Sequence, residues 1–212
     1  MILKFLKYKW KMKKLRNEWR KKNQHNYTNI GENTDIEKIR VGNYTYGVIN
    51  AHFFNNTLER LEIGSYCSIA GKVDFLCGGE HNYKKMLSFP IGKYFFNIQS
   101  EAISKGPIIV EDDVWIGEGA LILSGVRIRQ GAIIAAGSII SKDVPAYAIT
   151  DGRRIIKYRF SDEVINELLK IDISKIDKEV LIKYKDLFNK EITYEESITI
   201  RKILLGENYG EE

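Results

Sequence analysis

The chain has 212 residues, 44% of them apolar, and carries a net charge of +5. That is enough for one domain with a sizeable core and some appendages, and the absence of any run of 18 apolar residues excludes a helical membrane span. The charge is lopsided. Residues 1–22 hold ten Lys or Arg against Glu18 alone, a net of +9, while the remainder holds 23 basic and 27 acidic residues. A basic tail on a slightly acidic body argues against nucleic-acid binding by the fold itself.

Residues 1–22 contain neither Gly nor Pro and read as a helix. Phe5, Tyr8, Met12, Leu15 and Trp19 recur at intervals of 3, 4, 3 and 4, which puts them on one face. Leu3, Leu6 and Trp10 widen that face, and lysines fill the rest. Three readings fit: a helix that packs on its own trimer or body, an amphipathic basic helix on an anionic membrane surface, and, last, a contact with nucleic acid. Lysines interrupt the segment too often for a signal peptide. Residues 23–35 are polar and read as a linker, so the first unit is expected over 1–28.

From residue 29 a period of six takes over. It is weak in IGENTD (from Ile30) and clearer in VGNYTY (from Val41). A short interruption over Phe53–Arg60 follows, and then IGSYCS, IAGKVD and FLCGGE run on from Ile63. The period is strongest from Val110 to Pro145. There the first place of each six is Val110, Ile116, Ile122, Ile128, Ile134 and Ile140. The fifth is Val114, Ala120, Val126, Ala132, Ser138 and Val144. Six suits neither a helix nor a simple strand, but three sixes make one triangular coil of a parallel β-helix. The β-branched first place then points inward and stacks on its equivalent 18 residues later. Burying each such side chain is worth about 1.5–3 kcal/mol. Four to five coils are expected, roughly 19–24 Å of prism. Cys67 and Cys77 fall at or near inward positions and read as reduced thiols of a cytoplasmic protein.

The insertion from His81 to Pro107 breaks the period for some 27 residues, a length that is usually functional. It carries Tyr83, Phe89, Tyr94, Phe95 and Phe96, which need a surface to bury against; a neighbouring subunit is the natural one. After residue 160 a helical tail is expected over 161–212. Ser161 caps a first helix, Val180, Tyr184 and Leu187 mark a second, and Thr193 with Glu196 forms a capping box for a third that stops at Gly206. These helices are expected to cap the open end of the prism.

Of the three histidines, His25 lies in the linker and His52 ends a weak six. His81 stands at the root of the insertion after Gly78 and Gly79, where glycines let a ligand approach, and it is the candidate catalytic residue. The histidines are 27 and 29 residues apart, which does not supply a three-histidine zinc set. No metal is therefore expected.

VGNYTYG, LEIGSYCSIA, GGEH followed by SFP, EDDVWIG and GAIIAAGSIISKDVPAYAI together resemble the hexapeptide-repeat acyltransferases. The likeness is to their xenobiotic acetyltransferase branch of chloramphenicol, streptogramin and sugar O-acetyltransferases, and it covers about residues 41–160. The resemblance implies a left-handed parallel β-helix over 29–160 and a homotrimer with active sites at subunit interfaces. It also implies acetyl-CoA as co-substrate. It gives His81, ahead of Ser88-Phe89-Pro90, the role of general base. Trp115, Gly117, Glu118, Ala136, Ser141 and Lys142 become cofactor contacts, and Tyr44, Tyr46 and His52 lie near the acceptor.

Three departures matter. Gly152-Arg153-Arg154-Ile155-Ile156-Lys157 replaces the usual Gly-x-Pro-Ala-Lys, which makes Arg153 and Arg154 candidates for the CoA phosphates. Glu80 replaces the usual Asn and either orients His81 or points to solvent. The tryptophan-rich stretch of the antibiotic-modifying members is absent. The expected function is acetyl transfer to a hydroxyl of a sugar or surface-polysaccharide precursor. The alternatives are an antibiotic acceptor and, more remotely, a non-catalytic scaffold trimer. The expected setting is the cytoplasm, with residues 1–22 as a peripheral contact to the inner face of the membrane and no nucleic-acid partner.

Overall fold

The computed structural model describes residues 2–32 and 34–206, with side chains from residue 6 onward. Three parallel walls wind into a prism, as the period of six requires. The first wall stacks β2 (Ile39–Val41), β4 (Leu61–Ile63), β7 (Ile108–Val110) and β10 (Arg127–Ile128). The second stacks the start of β3 (Tyr46–His52) on β5 (Ser68–Ile69), β8 (Trp115–Ile116), β11 (Ile133–Ile134) and β13 (Ala148–Thr150). The third stacks the end of β3 on β6 (Asp74–Leu76), β9 (Leu121–Leu123) and β12 (Ile139–Ile140). β3 bends round a corner and so belongs to two walls. The chain completes four coils, and Val144 and β13 begin a fifth.

The inward register matches the sequence. Ile128 lies over Val110, Ile134 over Ile116 and Ile140 over Ile122, and all six residues are buried. The fifth-place residues are buried as well. Cys67 and Cys77 are free, fully buried thiols, and burial pushes both up to about 12.

The fourth place of most sixes holds a left-handed turn residue, which was not anticipated, though Asp143 and Gly78 at that place are not left-handed. Tyr44, Tyr66, Asp113, Gly131 and Tyr147 take positive φ between the first and second walls. Lys72, Gly119 and Gly137 do so between the second and third. Left-handed tyrosines are uncommon, and here their rings have partners. Tyr44 stacks on Tyr66 at 4.9 Å, and Tyr147 lies 5.7 Å from Phe160.

Both ends of the chain depart from expectation. Residues 23–35 are not simply a linker. β1 (Tyr27–Ile30) pairs in parallel with β3, and Asn23, Asn26 and Thr28 are buried in a hydrogen-bonded cluster. Helix α1 (Ile2–Lys22) packs over this first rung. Trp19 is buried in the prism core and its Nε1 donates to Thr28 Oγ1 at 3.1 Å.

At the other end the tail does not close the prism. α3 (Asp162–Leu168), α4 (Lys178–Lys183), α5 (Lys185–Phe188) and α6 (Tyr194–Leu205) follow the short α2 (Ile91–Phe95) of the insertion. They lie along the corner between the first and second walls. Tyr66 Oη donates to Ile176 O, and Gln130 Nε2 donates to Leu168 O at 3.3 Å. The tail buries Val164, Ile165, Ile171 and Ile200 apart from the prism core, because the tyrosine turns offer a tall apolar edge along the prism's length. The expected second helix breaks at Tyr184 into α4 and α5. The Thr193–Glu196 capping box and the left-handed Gly206 stop are both present on α6.

Candidate active site

Two insertions leave the same corner, between the third and first walls. Residues 53–60 leave after the first coil and residues 77–107 after the second. Both fall at one register position, so they meet. Asn56 Nδ2 donates to Ala102 O at 2.9 Å and Ser100 Oγ to Phe54 O at 2.6 Å. Glu59 is the anchor. It is 1% exposed, its carboxylate accepts from the Phe54 and Asn56 amides at 2.8 and 3.2 Å, and it pairs with Lys38 at 3.1 Å. Gly78 passes so close that an added Cβ would stand 2.4 Å from Glu59 Oε1. At the root of the longer insertion, Ser104 Oγ donates to Cys77 O at 2.7 Å.

Between the two insertions lies a pocket of about 310 Å³. Phe53, Phe54, Phe89 and Pro90 give it apolar walls, and Lys85, Lys93 and Glu101 give it charge. Glu101 accepts from Lys85 Nζ at 2.7 Å and from the Lys93 amide at 3.1 Å, and Lys85 holds its carboxyl below the usual range. His81 lines this pocket. Its Nδ1 lies 2.7 Å from Ser88 O, in the Ser88-Phe89-Pro90 segment. A carbonyl oxygen only accepts, so Nδ1 carries the proton in the neutral ring. Nε2 is then left with a lone pair.

Glu80 neither orients His81 nor points to open solvent. It pairs with Lys105 at 3.3 Å and accepts from Ser124 Oγ at 3.3 Å. It ties the insertion to the third coil.

The remaining candidates spread over three other places. Gly117, Glu118, Ala136, Arg153 and Arg154 gather along the corner between the second and third walls. There Gly117 packs so tightly that a Cβ would meet Ala136 N at 2.5 Å, while Glu118 pairs with Lys72 at 3.1 Å. Asp151 accepts from the Arg153 and Arg154 amides at 2.9 and 3.0 Å, and both arginine side chains are exposed. Trp115 stands outside the second wall, between Ser68 and Ile133. Ser141 and Lys142 are exposed in the last turn of the corner that bears the insertions.

Tyr44, Tyr46 and His52 are not one cluster. Tyr44 is a turn residue of the tail-bearing corner and Tyr46 lies outside the second wall. His52 ends β3 beside the pocket, with Nε2 2.9 Å from Asp74 Oδ1. Sequence reasoning missed Phe53, Phe54 and Glu59. The signal was available: the break at Phe53–Arg60 falls one coil before the longer insertion, at the same place in the period.

This prism, with a histidine-lined pocket built on one corner, is the scaffold of a hexapeptide-type transferase. The family profile described as bacterial transferase hexapeptide (six repeats) matches residues 107–142. A chloramphenicol acetyltransferase of Klebsiella aerogenes is 34% identical over 168 residues, 68% of this chain and 78% of the relative. A probable macrolide acetyltransferase of Lysinibacillus sphaericus is 33% identical over 156 residues, 68% of this chain and 86% of the relative. The solved maltose O-acetyltransferase of Clostridium difficile 630 superposes with a TM-score of 0.52 at 25% identity, over 74% of this chain and 88% of that one. The chain belongs to the hexapeptide-repeat acetyltransferases, in the xenobiotic acetyltransferase branch, and is an acyltransferase.

The corner between the second and third walls is open along part of its length. Its turns at Gly119 and Gly137 have no atom within 4 Å of a would-be Cβ, while the turn at Lys72 carries the ion pair to Glu118. Arg153 and Arg154 stand exposed at its far end. Among the described residues, no group of three or more His, Cys, Asp or Glu is placed to hold a metal ion.

Proposed function

We propose that the enzyme transfers an acetyl group from acetyl-CoA to a hydroxyl of a sugar or surface-polysaccharide precursor, with His81 as general base. The observation that carries this is the 2.7 Å contact from His81 Nδ1 to Ser88 O, which leaves Nε2 with its lone pair on a residue that lines a pocket with aromatic walls. Nε2 takes the proton of the acceptor hydroxyl as its oxygen bonds to the thioester carbonyl carbon. The carbon–sulfur bond then breaks, and the departing thiolate takes its proton from His81. Trp115, Gly117, Glu118 and Ala136 line the donor's path on one subunit, with Arg153 and Arg154 at its phosphates, and Ser141 and Lys142 line it from the insertion-bearing corner of the neighbouring subunit. Phe53, Phe54 and Phe89 suit the apolar face of a sugar ring.

The working unit is a homotrimer in which a neighbour covers the exposed aromatics of the insertion, Tyr83, Tyr94, Phe95 and Phe96. Tyr44 and Tyr46 then reach the acceptor from an adjoining subunit. The proposal includes a peripheral contact of residues 1–22 with the cytoplasmic face of a membrane, where surface-glycan precursors are assembled.

An antibiotic acceptor is the second reading, favoured by the names of the chloramphenicol and macrolide relatives. An acceptor screen with acetyl-CoA, reading released thiol, tests both across nucleotide sugars, glycans, chloramphenicol and streptogramin A. His81→Ala is expected to lower turnover by about 10²- to 10⁴-fold with donor affinity nearly unchanged. Unaltered turnover would remove His81 from the mechanism.

A further inference from the structure

Helix α1 has two working faces where the sequence suggested one. Tyr8, Met12, Leu15 and Trp19 follow one another at 4, 3 and 4 residues. Met12 and Trp19 are buried, and Leu15 packs against the prism core. Two residues back from each lie Leu6, Trp10, Lys13 and Asn17, a strip about 200° round the helix. Leu6 is 54% exposed and Trp10 67%. Lys13 lies within this strip and Lys7 and Lys14 border it, with Lys14 Nζ 5.9 Å from the Trp10 ring.

The arginines are spent on the prism. Arg16 Nε donates to Ile30 O at 3.3 Å and Arg20 Nη1 to Thr28 O at 3.1 Å. Among the described residues no ion pair holds Lys7, Lys13 or Lys14. An exposed leucine and tryptophan inside a field of lysines match the headgroup zone of an anionic bilayer. Tryptophan's amphipathic ring settles there, and each nearby lysine adds about 1 kcal/mol. A second copy of the helix is a poor occupant, because two such strongly cationic segments repel.

We infer that the outward strip of α1, Leu6 and Trp10 with Lys7, Lys13 and Lys14, docks on an anionic lipid bilayer while the opposite face clamps the helix to the prism. This rests on the proposed membrane contact of residues 1–22 and narrows it to Leu6 and Trp10, which the sequence grouped with the residues now buried. Because α1 lies over the first coil, docking brings that end of the prism to the lipid. The root of the His81 insertion, after the second coil, then lies roughly 10 Å, two coil spacings, further on.

The test is flotation of the full chain with phosphatidylcholine vesicles, with and without phosphatidylglycerol, alongside a double-stranded DNA retention assay at the same salt. The variants are Leu6→Ala/Trp10→Ala and Lys7→Gln/Lys14→Gln on the outward strip and Met12→Ala on the inward one, each checked for folding by circular dichroism. The wild type is expected to float only with anionic vesicles. The lysine pair should lose about 30-fold in partitioning, the Leu6/Trp10 pair should also fall, and Met12→Ala should lower the melting temperature and still float.

A wild type that fails to float on anionic vesicles overturns the membrane reading itself. Outward variants that float like wild type, with Met12→Ala lost from the vesicles, overturn only the choice of face. Equal flotation on neutral vesicles overturns the charge recognition, and retention on DNA without flotation replaces lipid by nucleic acid.

Discussion

Two corners of the prism use the same turn for opposite ends. Between the first and second walls, the left-handed positions are Tyr44, Tyr66, Asp113, Gly131 and Tyr147. Between the second and third they are Lys72, Gly119 and Gly137. The backbone needs a positive φ at both corners. At the first, tyrosine accepts the steric cost because its ring is recovered as packing: Tyr66 reaches Ile176, and Tyr147 covers Gly131, whose Cβ would stand 2.3 Å from the ring. The Arg159–Asp113 pair, at 2.8 Å, closes the same edge. At the second corner Gly119 and Gly137 meet the requirement without adding a side chain, and Lys72 turns its side chain along the edge to Glu118 at 3.1 Å. The corner that holds the tail and the corner that holds none differ at one place in six. The third corner carries the two insertions and the pocket.

The comparison can be broken at its base by disturbing the interior all three corners share. Ile128 is fully buried over Val110. Ile128→Asp would bury an unpaired charge, at a cost beyond about 4 kcal/mol. No cooperatively melting protein is expected; a soluble variant with a sharp thermal transition would refute the register.

The insertion-bearing corner is sharpened by Glu59. Glu59→Ala strands Lys38 and two amides and should cost about 3 kcal/mol. Glu59→Gln keeps an acceptor for the amides and should cost less. Urea midpoints measure both, and a raised KM for acceptor with donor KM unchanged would tie the loss to the pocket that Phe53 and Phe54 line.

The tail-bearing corner has a pH signature. Burial pushes Tyr66 and Tyr147 up to about 12 from an ordinary 10, and the core thiols Cys67 and Cys77 up to about 12 from 9. A raised folded pKa gives stability that is whole below the unfolded pKa and lost as pH rises toward the folded one. Stability should therefore be insensitive to these groups below pH 9 and fall between about 9 and 12. Tyr147→Phe should flatten the part of that fall above 10, the smallest of the three effects. Denaturant midpoints across that range check it, and an unchanged slope would count against the buried tyrosine edge.

The sequence by itself determined the prism, its register and the insertion with its histidine. Each six must place one β-branched residue in a narrow interior, and that steric demand repeats every coil, so it is written locally. Sequence also supplied the family likeness and thereby candidates such as Trp115 and Ala136. Tertiary structure alone decided what lies beside what. The break at Phe53–Arg60 joins the His81 pocket because two insertions one coil apart leave the same corner. Glu80 turns to Lys105, and the tail runs along an edge of tyrosines in place of an open end. In α1 the apolar residues looked like one broad face. Folding buried Met12 and Trp19 against the first coil, packed Leu15 beside them, and left Leu6 and Trp10 on the far side. Helical spacing fixes which residues share a line, but only the neighbouring surface decides which line is buried.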